Sequence, residues 1–565
     1  STSDEPVVRR KTRVSIRNLD GKAFAEMVLY GARHLSQNAN VVDALNVFPV
    51  PDGDTGTNMN LSMTSGAKEV EQIDTENIGK VAASLAKGLL MGARGNSGVI
   101  LSQLFRGFGK SIEQKSKIDA KEFAAAFQAG VDTAYKAVMK PVEGTILTVA
   151  KDAAKKAVDT AQTETDIIAV MEAVVREAEA SLERTPELLP VLKEVGVVDS
   201  GGKGLLFVYE GFLASLKGEK LSEKVALPSL DDLVSAEHHK NAQSHMNTED
   251  IEFGYCTEFM VKLDQDKKSF KEDAFRQDLS RFGDSLLVVS DENLAKVHIH
   301  AEYPGEVLTY AQKYGSLINM KIENMREQHS AILSQSKQEA VKAPAEKQPY
   351  GIVTVAMGEG IAELFKSIGA TAVIEGGQTM NPSTEDIVQA IRDANADTVV
   401  ILPNNSNIVM AANQAADVAD QNVIVVPTKT VPQGMAALLA FNPAANAEEN
   451  EANMLEATTH VKSGQITYAV RDTNIDGIDI KKGDFMGILN GKIVETAAEQ
   501  LTAAKKLIAE MVDEDTEIVT IIKGEDASEE EAEELAGHIS EAFEDVEVEI
   551  HDGKQPLYSY ILAAE

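Results

Sequence analysis

Asn46-Val47-Phe48-Pro49-Val50-Pro51-Asp52-Gly53-Asp54-Thr55-Gly56-Thr57-Asn58-Met59 is the segment whose residue types and spacing point most directly to chemistry. Two prolines stiffen the approach. Asp52 and Asp54 follow, separated by a single glycine, just before a helix expected to begin near Gly56. Hard carboxylate oxygens this close together suit Mg2+, which binds phosphates through a few carboxylates and keeps some of its waters. The helix start beside them offers unbonded N–H groups to an anion. Such a set would serve phosphoryl transfer through metal-bridged phosphates. A plainer reading competes with this one, because an aspartate before a helix commonly caps it and Pro-Asp-Gly-Asp is ordinary turn chemistry.

Two further segments are weaker in isolation. Met91-Gly92-Ala93-Arg94-Gly95-Asn96-Ser97-Gly98 joins two apolar helices. Its glycines would let backbone approach a phosphate closely, although a plain helix joint has the same look. Gly196-Val197-Val198-Asp199-Ser200-Gly201-Gly202-Lys203-Gly204 opens another helix. The chain has no Gly-x-x-x-x-Gly-Lys-Ser/Thr loop, which argues against a P-loop ATPase.

A different chemistry lies further along. His298 and His300 are two apart in an apparent strand, so their side chains share one face while Val297 and Ile299 take the other. Cys256 lies in an earlier strand that could pair nearby. One Cys with two His is a zinc-type donor set that leaves a fourth position for water or substrate. The competing reading is a small buried thiol and two surface imidazoles. His238, His239 and His245 fall in a polar joint and read as solvated, and Tyr255, Arg281, Arg326 and His329 read as surface or packing residues.

The elements that must hold these residues separate by texture. Residues 1–225 read as nearly all helix, with the 3.6-residue period clear in Phe24, Met27, Val28, Gly31, Ala32 and Leu35. Further helices are expected at 78–91, 98–113, 120–138, 143–161, 164–182 and 201–216, a pattern that makes a helical bundle or barrel. A linker is expected over 226–250, a small α+β domain over 251–335 and a second linker over 336–349. From 350 short apolar strands alternate with helices, which implies a parallel sheet covered on both faces. Residues 465–565 read as a second lobe of that unit, and 443–454 as a biased helix or loop.

The chain has 565 residues, with 54 Lys+Arg against 89 Asp+Glu, a net charge of −35, one Cys and no Trp. That balance excludes nucleic acid as the main partner and disfavours docking on an anionic membrane. A lone Cys fits a reducing cytoplasm, and the polar Ser1–Arg13 lacks the apolar core of a signal peptide. No apolar run is long enough for a transmembrane helix. Between Asp513 and Glu549 sixteen acidic residues stand against one lysine, Lys523. This concentration reads either as a solvated face or as a steering surface for a less acidic partner.

Taken together, the Asn-Val-Phe-Pro-Val-Pro-Asp-Gly-Asp-Thr-Gly-Thr-Asn-Met run, Gly-Ala-Arg-Gly-Asn-Ser-Gly, Pro141-Val142-Glu143-Gly144-Thr145-Ile146-Leu147-Thr148 and Val198-Asp199-Ser200-Gly201-Gly202-Lys203-Gly204 resemble the nucleotide-binding domain of dihydroxyacetone kinases. Ile374-Glu375-Gly376-Gly377-Gln378-Thr379-Met380-Asn381-Pro382-Ser383-Thr384, Leu402-Pro403-Asn404-Asn405 and Pro427-Thr428-Lys429-Thr430-Val431-Pro432-Gln433-Gly434 resemble the C-terminal part of the catalytic component of bacterial fatty-acid kinase. The resemblance implies a multidomain chain: an all-α helical barrel holding ATP and two Mg2+, a small α+β middle domain, and a two-lobed α/β DegV-like domain. It implies Asp52 and Asp54 as Mg2+ ligands, with Asn46 the nearest counterpart of a third aspartate in the dihydroxyacetone kinases. It implies Thr57 and Asn58 at the phosphates, Gly95, Asn96 and Ser97 in the loop over them, Thr145 in the nucleotide-binding segment and Asp199 near the nucleoside. Arg94 is expected to assist at the γ-phosphate. The family's middle domain carries essential Cys and His residues, which favours Zn2+ at Cys256, His298 and His300. The implied reaction phosphorylates a fatty-acid carboxylate presented by a separate DegV-like protein, with the C-terminal domain as a docking module that holds no lipid itself. A small-ketone kinase and a non-catalytic nucleotide-bound regulator are the alternatives, and a homodimer through the helical domain is expected.

Overall fold

The computed structural model describes residues 15–47, 53–220, 252–290, 292–326, 346–376 and 381–565. Asp52, the linker expected at 226–250, most of that at 336–349, and His238, His239, His245 and His329 lie outside the described residues. The chain forms two compact units. One joins the N-terminal and C-terminal parts (1–224 and 347–565), and the other is the middle domain (225–346).

The N-terminal part is a ring of helices: α1 (Gly21–Asp43), α2 (Thr55–Glu71), α3 (Ile78–Gly92), α4 (Gly95–Ser111), α5 (Ala120–Ala137), α6 (Ile146–Ala161), α7 (Ile167–Leu188), the short α8 (Pro190–Val195) and α9 (Ser200–Leu216). Each long helix packs on its neighbours in the chain and α9 returns to α1, which closes the barrel. Side-chain caps start most of them: Asp20, Asn77, Asp119, Thr145, Asp166 and Asp199 each accept an N–H of the first turn. The interior is one apolar core in which Phe24, Phe105, Phe108, Phe123, Phe127, Tyr209 and Phe212 stack edge to face or in parallel. The closure is tight, because a Cβ on Gly211 would lie 2.6 Å from the Gly31 Cα.

The helical part also holds a short antiparallel pair, β1 (Leu19–Asp20) with β2 (Lys117–Ile118). The middle domain is a four-stranded antiparallel sheet. The strands are β3 (Tyr255–Leu263), β4 (Gly283–Ser290), β5 (Leu294–Ala301) and β6 (Gly315–Asn324), with α10 (Glu272–Leu279) and α11 (Pro304–Ala311) between them. Its core uses the odd-numbered residues Phe259, Val261, Val297 and Ile299. The strand β6 was not expected. As a sheet edge it leaves Ile318, Met320 and Ile322 exposed, so no buried apolar pattern marks it.

The C-terminal part has two lobes. The first is a parallel sheet ordered β10-β9-β7-β8, from β7 (Gln348–Ala356), β8 (Ala372–Glu375), β9 (Ala396–Leu402) and β10 (Asn422–Val425). It carries α12 (Glu359–Ser367), α13 (Thr384–Asp393), α14 (Val409–Val418), α15 (Val431–Leu439) and α16 (Ala447–Thr458). Apolar clusters cover both faces, as expected. Because β7 begins at Gln348, the second linker ends earlier than expected. The second lobe is a six-stranded mixed sheet in which only β16 (Ile518–Lys523) and β17 (Glu547–Asp552) run parallel. The strands Phe485–Leu489 and Lys492–Ala497 at its edge were not expected. Ala93, from the joint between α3 and α4, and Val99, in the second turn of α4, belong to the apolar cluster on one face of the parallel sheet, so the helical and α/β parts share a core. Among the described residues no helix is long and apolar enough to cross a membrane.

Gly211→Val should destabilise the unit by about 1–3 kcal/mol, because the added methyls meet the α1 backbone. Gly537→Ala, on a helix where a Cβ meets nothing, should be neutral or stabilising by about 0.5–1 kcal/mol. Urea titrations of both variants against the parent check this.

Candidate functional site

The start of α2 shows what its aspartates do. Asp43, the last residue of α1, accepts the Thr57 backbone N–H at Oδ1 (3.1 Å) and the Thr57 hydroxyl at Oδ2 (2.8 Å). It therefore caps α2 from another helix. Asp54 occupies the N-cap position of α2 but makes no side-chain capping bond. Its carboxylate instead accepts Asn381 Nδ2 at Oδ2 (2.9 Å) and Asn407 Nδ2 at Oδ1 (3.5 Å). The ordinary-cap reading is thereby resolved: the capping role belongs to Asp43, and Asp54 is turned outward. Sequence reading missed Asp43, which looks like the unremarkable end of a helix and sits away from the Asp-Gly-Asp run. Asn46, taken as the counterpart of a third aspartate, lines the cavity beside Asp54, while Asp43 is a further acidic residue at the helix start.

The second loop closes over the same place. Gly95 has φ of +66°, and a Cβ there would strike the Asn58 amide. The Asn96 backbone N–H donates to Asn407 Oδ1 (2.8 Å), and the Arg94 N–H donates to Ser62 Oγ (3.0 Å). Ser97 lies in the first turn of α4. Asn58 Nδ2 and Asn96 Oδ1 are buried with no hydrogen-bond partner, and such groups are rare unless a ligand completes them. Thr57 is the residue held by Asp43. These elements and the C-terminal domain enclose a cavity of about 550 Å3, lined by Asn46, Asp54 and Asn96 on one side and by Asn404, Asn407 and Tyr558 on the other.

Arg94 departs from expectation. Its guanidinium donates to the Asn381 carbonyl (2.6 Å) and lies 3.8 Å from Asp386 at the start of α13. Burial pushes its pKa down and Asp386 acts the other way. In this arrangement Arg94 is committed to the C-terminal domain rather than to the cavity.

Thr145 and Asp199 belong to another corner, where α6 and α9 begin. Thr145 Oγ1 accepts the Leu147 N–H (3.3 Å), and Asp199 Oδ2 accepts the Gly202 N–H (2.8 Å). Burial raises the Asp199 pKa to about 6, against the lowering effect of the Gly202 and Ile146 N–H groups.

In the middle domain, Cys256 and His300 are cross-strand partners, as are Glu258 and His298. Cys256, His298 and His300 are 3%, 1% and 5% exposed, and their donor atoms all lie within 4.8 Å of one another. The sheet face opposite the helix-packed core thus assembles the expected trio. Carboxylates flank it, with Glu258 Oε1 3.3 Å from His298 Nδ1 and Asp284 Oδ1 3.8 Å from His300 Nδ1. A soft thiolate, two imidazoles and surrounding negative charge fit a Zn2+ donor set.

Family profiles cover most of the chain. Residues 49–214 match the DAK2 domain, 252–332 the FakA-like middle domain of fatty acid kinase, and 351–565 the FakA-like C-terminal domain of the same family. Protein YloV of Bacillus subtilis (strain 168) is 75% identical over 553 residues, covering 98% of this chain and all of that protein. The chain belongs to the FakA-like fatty acid kinase family. An uncharacterised protein of Staphylococcus aureus (strain USA300) is 56% identical over 550 residues, covering 97% of this chain and all of that one. Among solved structures, dihydroxyacetone kinase from C. freundii in complex with AMP-PNP and Mg2+ aligns over 38% of this chain and 37% of its own, at 20% identity and a TM-score of 0.28. The Streptococcus pneumoniae fatty acid kinase B3 protein loaded with linoleic acid aligns over 39% and 99%, at 10% identity and a TM-score of 0.26. As a member of the FakA-like family, the chain is a kinase with a helical DAK2 part, a FakA-like middle domain and a FakA-like α/β C-terminal part.

In this FakA-like kinase the folded state holds the Asp199 proton more tightly than the unfolded state does. That contribution to stability is present below the ordinary carboxylate range and is lost as pH rises through about 6. Asp199→Asn keeps an acceptor for the α9 cap and never ionises. It should stabilise the protein by about 1–3 kcal/mol at pH 8 and change little at pH 4, measured by urea titration at both.

Proposed function

We propose that the chain transfers the γ-phosphoryl group of ATP to the carboxylate of a fatty acid presented by a separate DegV-like carrier protein, giving acyl phosphate and ADP. The observation that carries this reading is Asp54, a carboxylate at a helix start that makes no side-chain cap bond to its helix and instead faces a cavity beside Asn46 and Asn96. A carboxylate oxygen of the fatty acid forms the new bond to phosphorus, and the bond from phosphorus to the β–γ bridging oxygen breaks, leaving on ADP. The attacking carboxylate is already ionised at neutral pH, so no general base is needed. The reaction rests on positioning and charge neutralisation.

The hard carboxylates of Asp54 and of Asp52, two residues before it in the sequence, fit Mg2+, which when bound would neutralise the β- and γ-phosphates. The chain's own contribution is to hold the phosphates. The first-turn N–H groups of α2 and the buried Asn58 amide are donors aimed at an anion, and the Gly95 turn lets the α4 backbone come close. Thr145 and Asp199 form the corner assigned to the nucleoside. Acyl-chain preference belongs to the carrier. The acidic stretch Asp513–Glu549, with Glu529, Glu530, Glu533 and Glu534 exposed on the helix Glu529–Ala542, serves as the steering face for that carrier. Cys256, His298 and His300 would hold Zn2+ through one thiolate and two imidazoles.

Asp54→Asn should lower ATP-dependent acyl-phosphate formation by about a hundredfold or more, assayed with a fatty-acid-loaded DegV-like protein. Turnover equal to the parent's would refute the site. Purified protein should contain one zinc per chain by elemental analysis, and Cys256→Ala should lose it. A zinc-free parent whose Cys256→Ala variant keeps its activity would dispose of the metal.

A further inference from the structure

We propose that Asn381, Asn407 and Arg471 of the C-terminal domain are positioning residues of the kinase site, so that Asp54 at the start of α2 is held in place only with the α/β domain docked on the barrel. The inference rests on the reading of Asp54 as a metal-holding carboxylate, and it changes the C-terminal domain from a docking module into part of the site.

The contacts reach the loop from two sides. On its outgoing side, Asn381 is 1% exposed and donates both amide hydrogens, to Asp54 Oδ2 (2.9 Å) and to Asn58 Oδ1 (3.2 Å). Asn407 accepts the Asn96 backbone N–H (2.8 Å) and donates to Asp54 Oδ1 (3.5 Å). Each oxygen of the Asp54 carboxylate thus takes one carboxamide. Because Asn58 Oδ1 is taken by Asn381, the amide is fixed with Nδ2, which has no hydrogen-bond partner, against the Gly95 turn. On the incoming side, Arg471 donates to the carbonyls of Ala44 (3.1 Å), Asn46 and Val47 (3.0 Å), where the chain has left α1 and has not yet reached the aspartates.

Adhesion of the two parts does not require these contacts. Gln414 already bonds the Leu90 carbonyl (3.0 Å) and Gln103 (2.7 Å), the Thr384 N–H bonds the Ala93 carbonyl (3.1 Å), and Ala93 and Val99 enter the sheet's apolar core. Asn381, Asn407 and Arg471 are instead directed at the loop that carries Asp54, in the way outer-shell partners orient metal ligands.

The test uses the full chain with Mn2+ in place of Mg2+ and AMP-PNP as the nucleotide, following free Mn2+ by electron paramagnetic resonance. Asn381→Ala and Arg471→Ala should weaken Mn2+ binding by about 10- to 100-fold, and Asn407→Ala by a smaller factor, while thermal melting stays within a few degrees of the parent. A merely structural role would move the melting curve and leave Mn2+ affinity alone. If all three variants bind Mn2+ within about twofold of the parent, the proposal is overturned. Should Asn381→Ala melt early, the half-buried Asn407 decides, and an unchanged Mn2+ affinity in Asn407→Ala counts against the idea. No fatty acid enters this measurement. A parent that binds Mn2+ and AMP-PNP but forms no acyl phosphate refutes the proposed reaction and leaves this inference standing, whereas a parent that binds no Mn2+ overturns the metal reading and this inference together.

Discussion

The two hydrogen bonds from Thr57 to Asp43 are the constraint on which the site depends. A helix start needs acceptors for its first N–H groups, and the nearest candidate at α2 is Asp54 at the N-cap. Because the end of α1 brings Asp43 to the α2 terminus, that need is met from outside. The carboxylate at the N-cap is then released for another use. Close contact makes this possible: a Cβ on Gly56 would collide with the Ala39 carbonyl, so the glycine lets the two helices meet at this end. The barrel is therefore more than a scaffold, since its α1–α2 contact decides which aspartate is structural and which faces the cavity.

The second organising feature is the shared core between the barrel and the parallel sheet. The joint between α3 and α4 is short and contains small residues, so Ala93 and Val99 can enter an apolar cluster built by α13, α14 and β9. Polar groups follow that docking. Arg94 leaves the cavity for Asn381 and Asp386, and Gln414 connects the backbone of α3 to the side chains of α4. The FakA-like C-terminal part thus contributes one wall of the cavity and the amides on Asp54, which its sequence position, more than 300 residues from Asp54, gives no sign of.

The middle domain shows a different balance between sequence and structure. Alternation in β5 sends Val297 and Ile299 into the core and puts His298 and His300 on the opposite face. The antiparallel register of β3 with β5 then sets Cys256 directly opposite His300. A one-residue slip in that register would have moved the thiol to the core side, because strand side chains alternate. The trio is therefore encoded in period and register alone, and it needs nothing from the rest of the chain.

Local signals were legible wherever the physics is local. The 3.6-residue period located the barrel helices, apolar runs located β7, β9 and β10, and the motif spacing pointed to Asp54, Asn58, Gly95 and the Cys–His set. The edge strands β6 and Lys492–Ala497 were missed because a strand at a sheet edge buries less of a continuous apolar pattern, and Phe485–Leu489, buried between two other strands, is an apolar run too short to show a period. Asp43, Asn407 and Arg471 were missed, and Asn381 was read only as part of a motif, because none is marked by its neighbours in the chain. Asp54 and Arg94 have the same residue types in either role, capping or coordinating, phosphate-facing or interface-facing. Sequence by itself determined which elements form and which residues have the chemistry to act. Only the tertiary structure decided which of them act together, because a carboxylate's role depends on which donors reach it first, and here those donors arrive from a distant helix and another domain.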